Sequence, residues 1–214
     1  MKALNKDTQA AISPADALQR LKDGNSRFVS KSPVNRDLME QVQDTSGGQW
    51  PHAVLLSCID SRVPVETIFD QGIGDVFSAR VAGNIVNTDI LASIEYGCQV
   101  AGSKLVVVLG HTSCGAVKSA IDDTYVESPL QLGNIRSLLT EIKPSVLAVS
   151  EPKALNQRTT KNKEFFNNVV YKNVELTLQN LRNDSPVLAQ MESDGDIIIK
   201  GAVYDVSSGE VAFL

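Results

Sequence analysis

Three short runs constrain this chain more than anything else in it: Ala53 to Ser57, Val76 to Ala79 and Lys104 to Gly110. Each is nearly continuous in apolar residues rather than alternating, the pattern of strands covered on both faces. Segments with helical periodicity, Val63 to Asp70, Thr88 to Ala101 and Ala116 to Ile121, follow or separate them. This strand and helix alternation predicts an α/β fold with a central, mostly parallel β-sheet flanked by helices. At 214 residues the chain fits one domain spanning 1–214.

The flanking segments complete that expectation. Ser13 can cap a helix that carries Pro14 in its first turn, and Ala17, Leu18 and Leu21 form an apolar stripe that should end at Gly24. Residues 1–30 are therefore predicted to be an N-terminal helical arm. Residues 30–50 are polar and irregular, a loop with room for one short helix. Leu130 to Ile142 and Lys161 to Arg182 read as amphipathic helices, the second with Phe166, Val170, Val174, Leu178 and Leu181 at helical spacing. Ile197 to Tyr204 and Val211 to Leu214, joined through Ser207-Ser208-Gly209, read as a hairpin that supplies a C-terminal edge strand.

A net charge of -5 and 5% aromatic residues leave no basic stripe or stacking platform, which excludes nucleic acid as an expected partner. The three cysteines, spaced 40 and 16 residues apart, do not form a disulfide framework, so reduced thiols are expected. The longest apolar runs, such as Leu105 to Leu109, are far too short for a membrane span. The N-terminus lacks a signal-peptide core, and a cytoplasmic protein is expected unless an export signal has been trimmed before Met1.

Sites in parallel sheets collect at the carboxyl ends of strands. There this chain places Cys58, in Ser57-Cys58-Ile59-Asp60-Ser61-Arg62, and His111 with Cys114, in Gly110-His111-Thr112-Ser113-Cys114-Gly115. Two thiolates and an imidazole can hold zinc and leave its fourth position open. The same residues can also be two core thiols and a capping histidine. Asp60 and Arg62 follow Cys58 at steps of two, which in an extended segment puts them on its side. A carboxylate there can ligate zinc or accept a hydrogen bond from its water, and an arginine can hold that carboxylate off the metal; the alternative is a surface ion pair of little energetic worth. Cys98, within a predicted helix, reads as a small core hydrophobe. His52, just before the first strand, has no evident claim on a site. The stretch from Gly110 to Ser119 echoes a phosphate-binding loop, but Ala116 stands where lysine must follow the second glycine.

Ser57-Cys58-Ile59-Asp60-Ser61-Arg62-Val63-Pro64, Arg80-Val81-Ala82-Gly83-Asn84, Ile94-Glu95-Tyr96 and Gly110 to Lys118 together resemble the β-class carbonic anhydrases, from the N-terminal arm to the last strand. The resemblance implies a Zn2+-dependent reversible hydration of carbon dioxide to bicarbonate and a proton, by attack of zinc-bound hydroxide on CO2. It makes Cys58, His111 and Cys114 the zinc ligands and Asp60 and Arg62 the catalytic dyad, with Asp60 a fourth ligand only in a closed form. It assigns substrate contacts to Gln49, Phe77, Ala82, Tyr96 and Gly115, and implies a homodimer or a tetramer built as a dimer of dimers. Some members shut down when bicarbonate fills a second pocket of Trp, Arg and Tyr. Arg80 and Tyr204 match two of those positions, but Leu55 holds the tryptophan's place and the only tryptophan is Trp50, so an open zinc site is expected. Two thiolates would cancel the metal's charge, placing its water's pKa above the value of roughly 7 of a three-histidine site and making activity rise with pH. The rival reading on the same fold is a zinc or thiol sensor, with Asp60 permanently closing the metal or Cys58 and Cys114 forming a redox pair. The joint presence of Asp60, Arg62 and Gln49 argues against it.

Overall fold

Parallel pairing of the apolar runs builds the centre of the protein. The computed structural model describes residues 2–123 and 133–214. Strands β1 (Ala53–Ser57), β2 (Val76–Arg80), β3 (Leu105–His111), β4 (Ile198–Tyr204) and β5 (Val211–Phe213) form a sheet in the order β2-β1-β3-β4-β5. All pairings are parallel except β4 with β5, the C-terminal edge hairpin. Its turn is closed by Asp205, whose Oδ1 accepts from the backbone N–H groups of Ser207 and Ser208. The helices are α1 (Lys6–Ala10), α2 (Pro14–Val29), α3 (Leu38–Thr45), α4 (Val65–Ile68), α5 (Thr88–Glu95), α6 (Gly115–Asp122), α7 (Ile135–Ala148), α8 (Lys163–Asp184) and α9 (Pro186–Ser193).

Residue parity along β1 and β3 sorts the apolar side chains into two cores, as the two-residue period of a strand requires. Val54, Leu56, Val106 and Val108 face α5 to α9, together with Ile94, Ile142, Val169, Val174 and Leu188. Ala53, Leu55, Leu105, Val107 and Leu109 face α2 and α4, with Ala17, Leu21, Val65 and Ile68.

Several expected boundaries move for identifiable reasons. Val76 to Ala79 was expected to be covered on both faces, yet β2 is half-buried to exposed because it is an edge of the sheet. The predicted helix Val63 to Asp70 contracts to the single turn of α4, ended by Asp70 at φ +46°. The long helix expected to Ala101 stops at Glu95 and widens into a π turn over Tyr96–Val100. Helix α7 runs past Ile142, through Pro144, to Ala148; the expected start at Leu130 lies outside the described residues. Within the expected helical arm α1 stands as a separate short helix, held by a capping box between Asn5 and Thr8, and one short helix escaped the sequence reading: α9, capped by Ser185.

Gly24 does not end α2. The helix runs on to Val29, and Gly24 is where it presses on the end of α4: a Cβ there would lie 1.8 Å from the carbonyl oxygen of Phe69, the residue that caps α4. Glycine to alanine inside a helix ordinarily gains about 1 kcal/mol. Here the sign should reverse. Gly24→Ala is expected to lower stability by about 1–3 kcal/mol through overpacking, read as a lower denaturant midpoint; an unchanged or raised midpoint would show that α2 and α4 can separate freely.

Candidate metal centre

The register of β1 against β3 brings the candidate ligands together. Ser57 pairs with Leu109 at the carboxyl end of both strands, so Cys58 leaves β1 beside His111, the last residue of β3. Three residues on, Cys114 is the N-cap of α6, reached through Ser113 in the left-handed region at φ +57°. The thiol and imidazole ligand atoms of Cys58, His111 and Cys114 all lie within 4.8 Å of one another, and the two sulfurs are 4.0 Å apart. Tetrahedral zinc with Zn–S bonds of about 2.3 Å requires a sulfur separation of roughly 3.8 Å.

His111 is fully buried, and its ring is oriented from one side only. Nδ1 lies 2.9 Å from the Thr112 carbonyl, which can only accept, so Nδ1 carries the proton. Nε2 is left with its lone pair and no hydrogen-bond partner. A buried nitrogen without a partner costs about 1–3 kcal/mol, and a metal ion between it and the two sulfurs would remove that cost. Thr112 is itself fixed, donating its N–H to the Tyr204 carbonyl and accepting at Oγ1 from Val206 N–H. The donor set therefore fits zinc.

The thiols are unequal. Hydrogen bonding with the Cys114 thiol, joined by the Gly83 N–H, holds Cys58 well below a free thiol. The same hydrogen bond, together with burial, pushes Cys114 upward. Cys98 is different: burial alone drives it up to about 12, the behaviour of an inert core thiol.

Asp60 and Arg62 do share a side with Cys58, through a turn rather than an extended segment. Arg62 Nε donates to Asp60 Oδ1 at 2.9 Å and Nη2 to Oδ2 at 2.7 Å, while the Arg62 backbone N–H also reaches Oδ1. This two-pronged contact holds the Asp60 carboxyl down to about 2. Asp60 Oδ2 lies 3.9 Å from His111 Nε2, beside the ligand atoms. Arg62 Nη2 also reaches the Ser113 carbonyl, tying one ligand loop to the other. Arg80 does not point at a pocket; it clamps the backbone, donating to the carbonyls of Cys58 and Asp60. Leu55, in the tryptophan's position, is fully buried in the α2 and α4 core.

The proposed substrate residues divide. Ala82 opens a 3-10 turn whose Gly83 N–H approaches Cys58 Sγ at 3.4 Å, and Gly115 directly follows Cys114. Both border the candidate ligands. Phe77 pairs with Val54, three strand positions or roughly 10 Å before the Cys58 end of the sheet. Its ring meets that of Tyr96 edge-on at 6.3 Å, beside a cavity of about 500 Å³ that Val54, Ala79 and Ile90 also line. Gln49 precedes β1 and is exposed at the opposite end of the sheet. Within one chain, neither Gln49 nor the Phe77 and Tyr96 pair joins the ligand cluster. His52 is also at that far end, bonded through Nε2 to Gln71 Oε1, with burial depressing its pKa. The Gly83 N–H contact and the true partners of Arg80 were missed in the sequence; the motif Arg80 to Asn84 marked the segment but not what it touches.

Comparison with known proteins agrees with this geometry. A carbonic anhydrase family profile matches residues 53–211. The carbonic anhydrase of Mycolicibacterium smegmatis is 37% identical over 202 residues, covering 92% of each chain. The solved β-carbonic anhydrase CcaA superposes with a TM-score of 0.68 at 27% identity, over 92% of this chain and 94% of that one. Tetrameric β-carbonic anhydrases of Sordaria macrospora share the fold, with a TM-score of 0.64 at 24% identity over 79% of this chain and 83% of theirs. On its sequence, its sheet and its relatives, this chain belongs to the β-carbonic anhydrases, a family of lyases.

Proposed function

We propose that this chain is a zinc enzyme that reversibly hydrates carbon dioxide to bicarbonate and a proton, with Cys58, His111 and Cys114 holding the metal. The observation that carries this reading is His111 Nε2, buried and without a partner, facing two thiols whose sulfurs are 4.0 Å apart. Zinc bound there supplies Lewis acidity that makes a coordinated water nucleophilic toward carbon dioxide near neutral pH.

The remaining roles belong to side chains. Arg62 occupies both Asp60 oxygens, which keeps Asp60 an anion above about pH 2 and restrains it from the ligand cluster. So held, Asp60 acts only as a hydrogen-bond acceptor, orienting the attacking water. Ala82 and Gly115 border the ligand cluster. Gln49, Phe77 and Tyr96 stand apart from their own chain's ligands, so their roles as an amide donor to substrate oxygen and an apolar wall for carbon dioxide are read as service to a second copy's site. The surface beside edge strand β2 supports such pairing: Leu38 and Met39 are 53% and 65% exposed, and Phe28, Leu38, Ile73 and Val76 line a cavity of about 850 Å³. The reading is a homodimer, or a tetramer assembled as a dimer of dimers. No described helix is long and apolar enough to cross a membrane, and a site built from free thiols suits the reducing cytoplasm.

Cys114→Ser should abolish stoichiometric zinc, measured by elemental analysis of the purified protein. Asp60→Asn should retain zinc yet lose about 10²-fold or more in stopped-flow hydration; full turnover in that variant would sink the role given to the carboxylate. Because the Asp60 pKa is depressed to about 2, its charged form is lost only as pH falls through that value. Wild-type activity should therefore rise from about pH 6.5 to 9 with the metal's water, and a limb tracking Asp60 would contradict the assignment. Sedimentation should find dimers or larger; a fully active monomer would overturn the shared substrate pocket.

A further inference from the structure

The Gly83 turn is held from outside by a residue that none of the site motifs contains. Asn173 lies on α8, on a face otherwise buried through Val169, Val170, Val174 and Thr177, and is itself 2% exposed. Its Nδ2 donates to the Gly83 carbonyl at 2.8 Å, across 90 residues of sequence. Its Oδ1 accepts from the hydroxyl of the fully buried Ser145 on α7 at 3.1 Å. This pairing fixes the amide's orientation, because a flipped amide would set Oδ1 against the Gly83 oxygen.

The turn needs such a hold. Gly83 and Asn84 adopt φ of +75° and +45° in succession, and the buried Asn84 Nδ2 has no partner. Glycine and asparagine are the residues that enter the left-handed region most readily, so the sequence permits the turn, but the turn's own side chains leave it unfastened at Asn84 Nδ2. Nor can Gly83 gain a side chain for the purpose, since a Cβ would lie 2.5 Å from Ile142 Cδ1. The result of holding Gly83 in place is an N–H directed at Cys58 Sγ.

We propose that Asn173 is a positioning residue of the metal centre: with Ser145 behind it, it fixes Gly83 so that the Gly83 N–H hydrogen-bonds Cys58 Sγ, setting that sulfur's place and its electron donation to the metal. The inference rests on the zinc reading above. A hydrogen bond to a ligand sulfur withdraws charge from it, and partners of this kind tune metal affinity by about 10- to 100-fold.

The test uses the full chain, with zinc affinity measured against a chromophoric chelator and the thiolate-to-cobalt charge-transfer band recorded after cobalt substitution. Asn173→Leu, close in volume, should weaken zinc binding about 10-fold or more and move the charge-transfer band to longer wavelength. Ser145→Ala, which leaves Asn173 present but unsteered, should shift both in the same direction by less, and it decides the matter if Asn173→Leu does not fold. Thr177→Val, one turn along the same buried face, serves as the control and should alter thermal stability alone. A folded Asn173→Leu or Ser145→Ala with wild-type zinc affinity and an unmoved band would reduce Asn173 to a latch between α8 and the turn and overturn the proposal. Absence of stoichiometric zinc in the wild type would instead strike the zinc reading itself, so the two failures are distinguishable.

Discussion

Everything at the site depends on the register of two parallel strands. Ser57 stands level with Leu109, and from that pairing Cys58 and His111 become neighbours although 53 residues separate them in sequence. The register is strongly specified because the same strands sort their side chains into separate cores above and below the sheet. A slip of one residue would move Leu55 and Val107 into the space of Leu56 and Val108, inverting both cores at once. The hydrophobic pattern that stabilises the fold is thus the device that aligns the chemistry.

Beyond the strands, precision comes from polar fastening of irregular backbone. Arg80 binds two carbonyls of the segment that leaves β1, Thr112 is stitched to the end of β4, and Arg62 bridges from Asp60 to the Ser113 carbonyl. These contacts use guanidinium forks and backbone groups, which hold geometry better than isolated point charges. They surround a cluster whose own hydrogen-bonding capacity is left incomplete at His111 Nε2. A fastened frame around an unsatisfied donor set favours ion binding, since the ligands need little reordering when an ion arrives.

What was legible in the sequence follows from what is local. β1 was bounded correctly because its apolar run is buried on both faces, and the candidate ligands could be picked out because they sit where strands end. β2 carries a similar run but lies at the edge, and no pattern in the run itself distinguishes a strand covered on both faces from one left at the edge of the sheet. Gly24 looked like a stop because its close approach to Phe69 is a tertiary fact. The same limit explains the site. Cys58, Asp60 and Arg62 are within five residues and readable as a motif, whereas Asn173 reaches Gly83 across 90 residues of sequence with no spacing to announce it. Gln49, Phe77 and Tyr96 came only through resemblance, and one chain does not bring them to the candidate ligands.

The pair that restrains Asp60 is lopsided in its exposure: half of the Arg62 side chain faces water, while Asp60 is 17% exposed. The restraint is therefore applied from the solvent side, where ion pairs contribute about 0–1 kcal/mol and dissolved ions weaken them. Whether the carboxylate stays paired thus becomes a property of the medium as well as of the fold. Sulfate or phosphate, competing for the same guanidinium, would act on the ion pair without touching Cys58, His111 or Cys114, which makes the buffer a variable at this site.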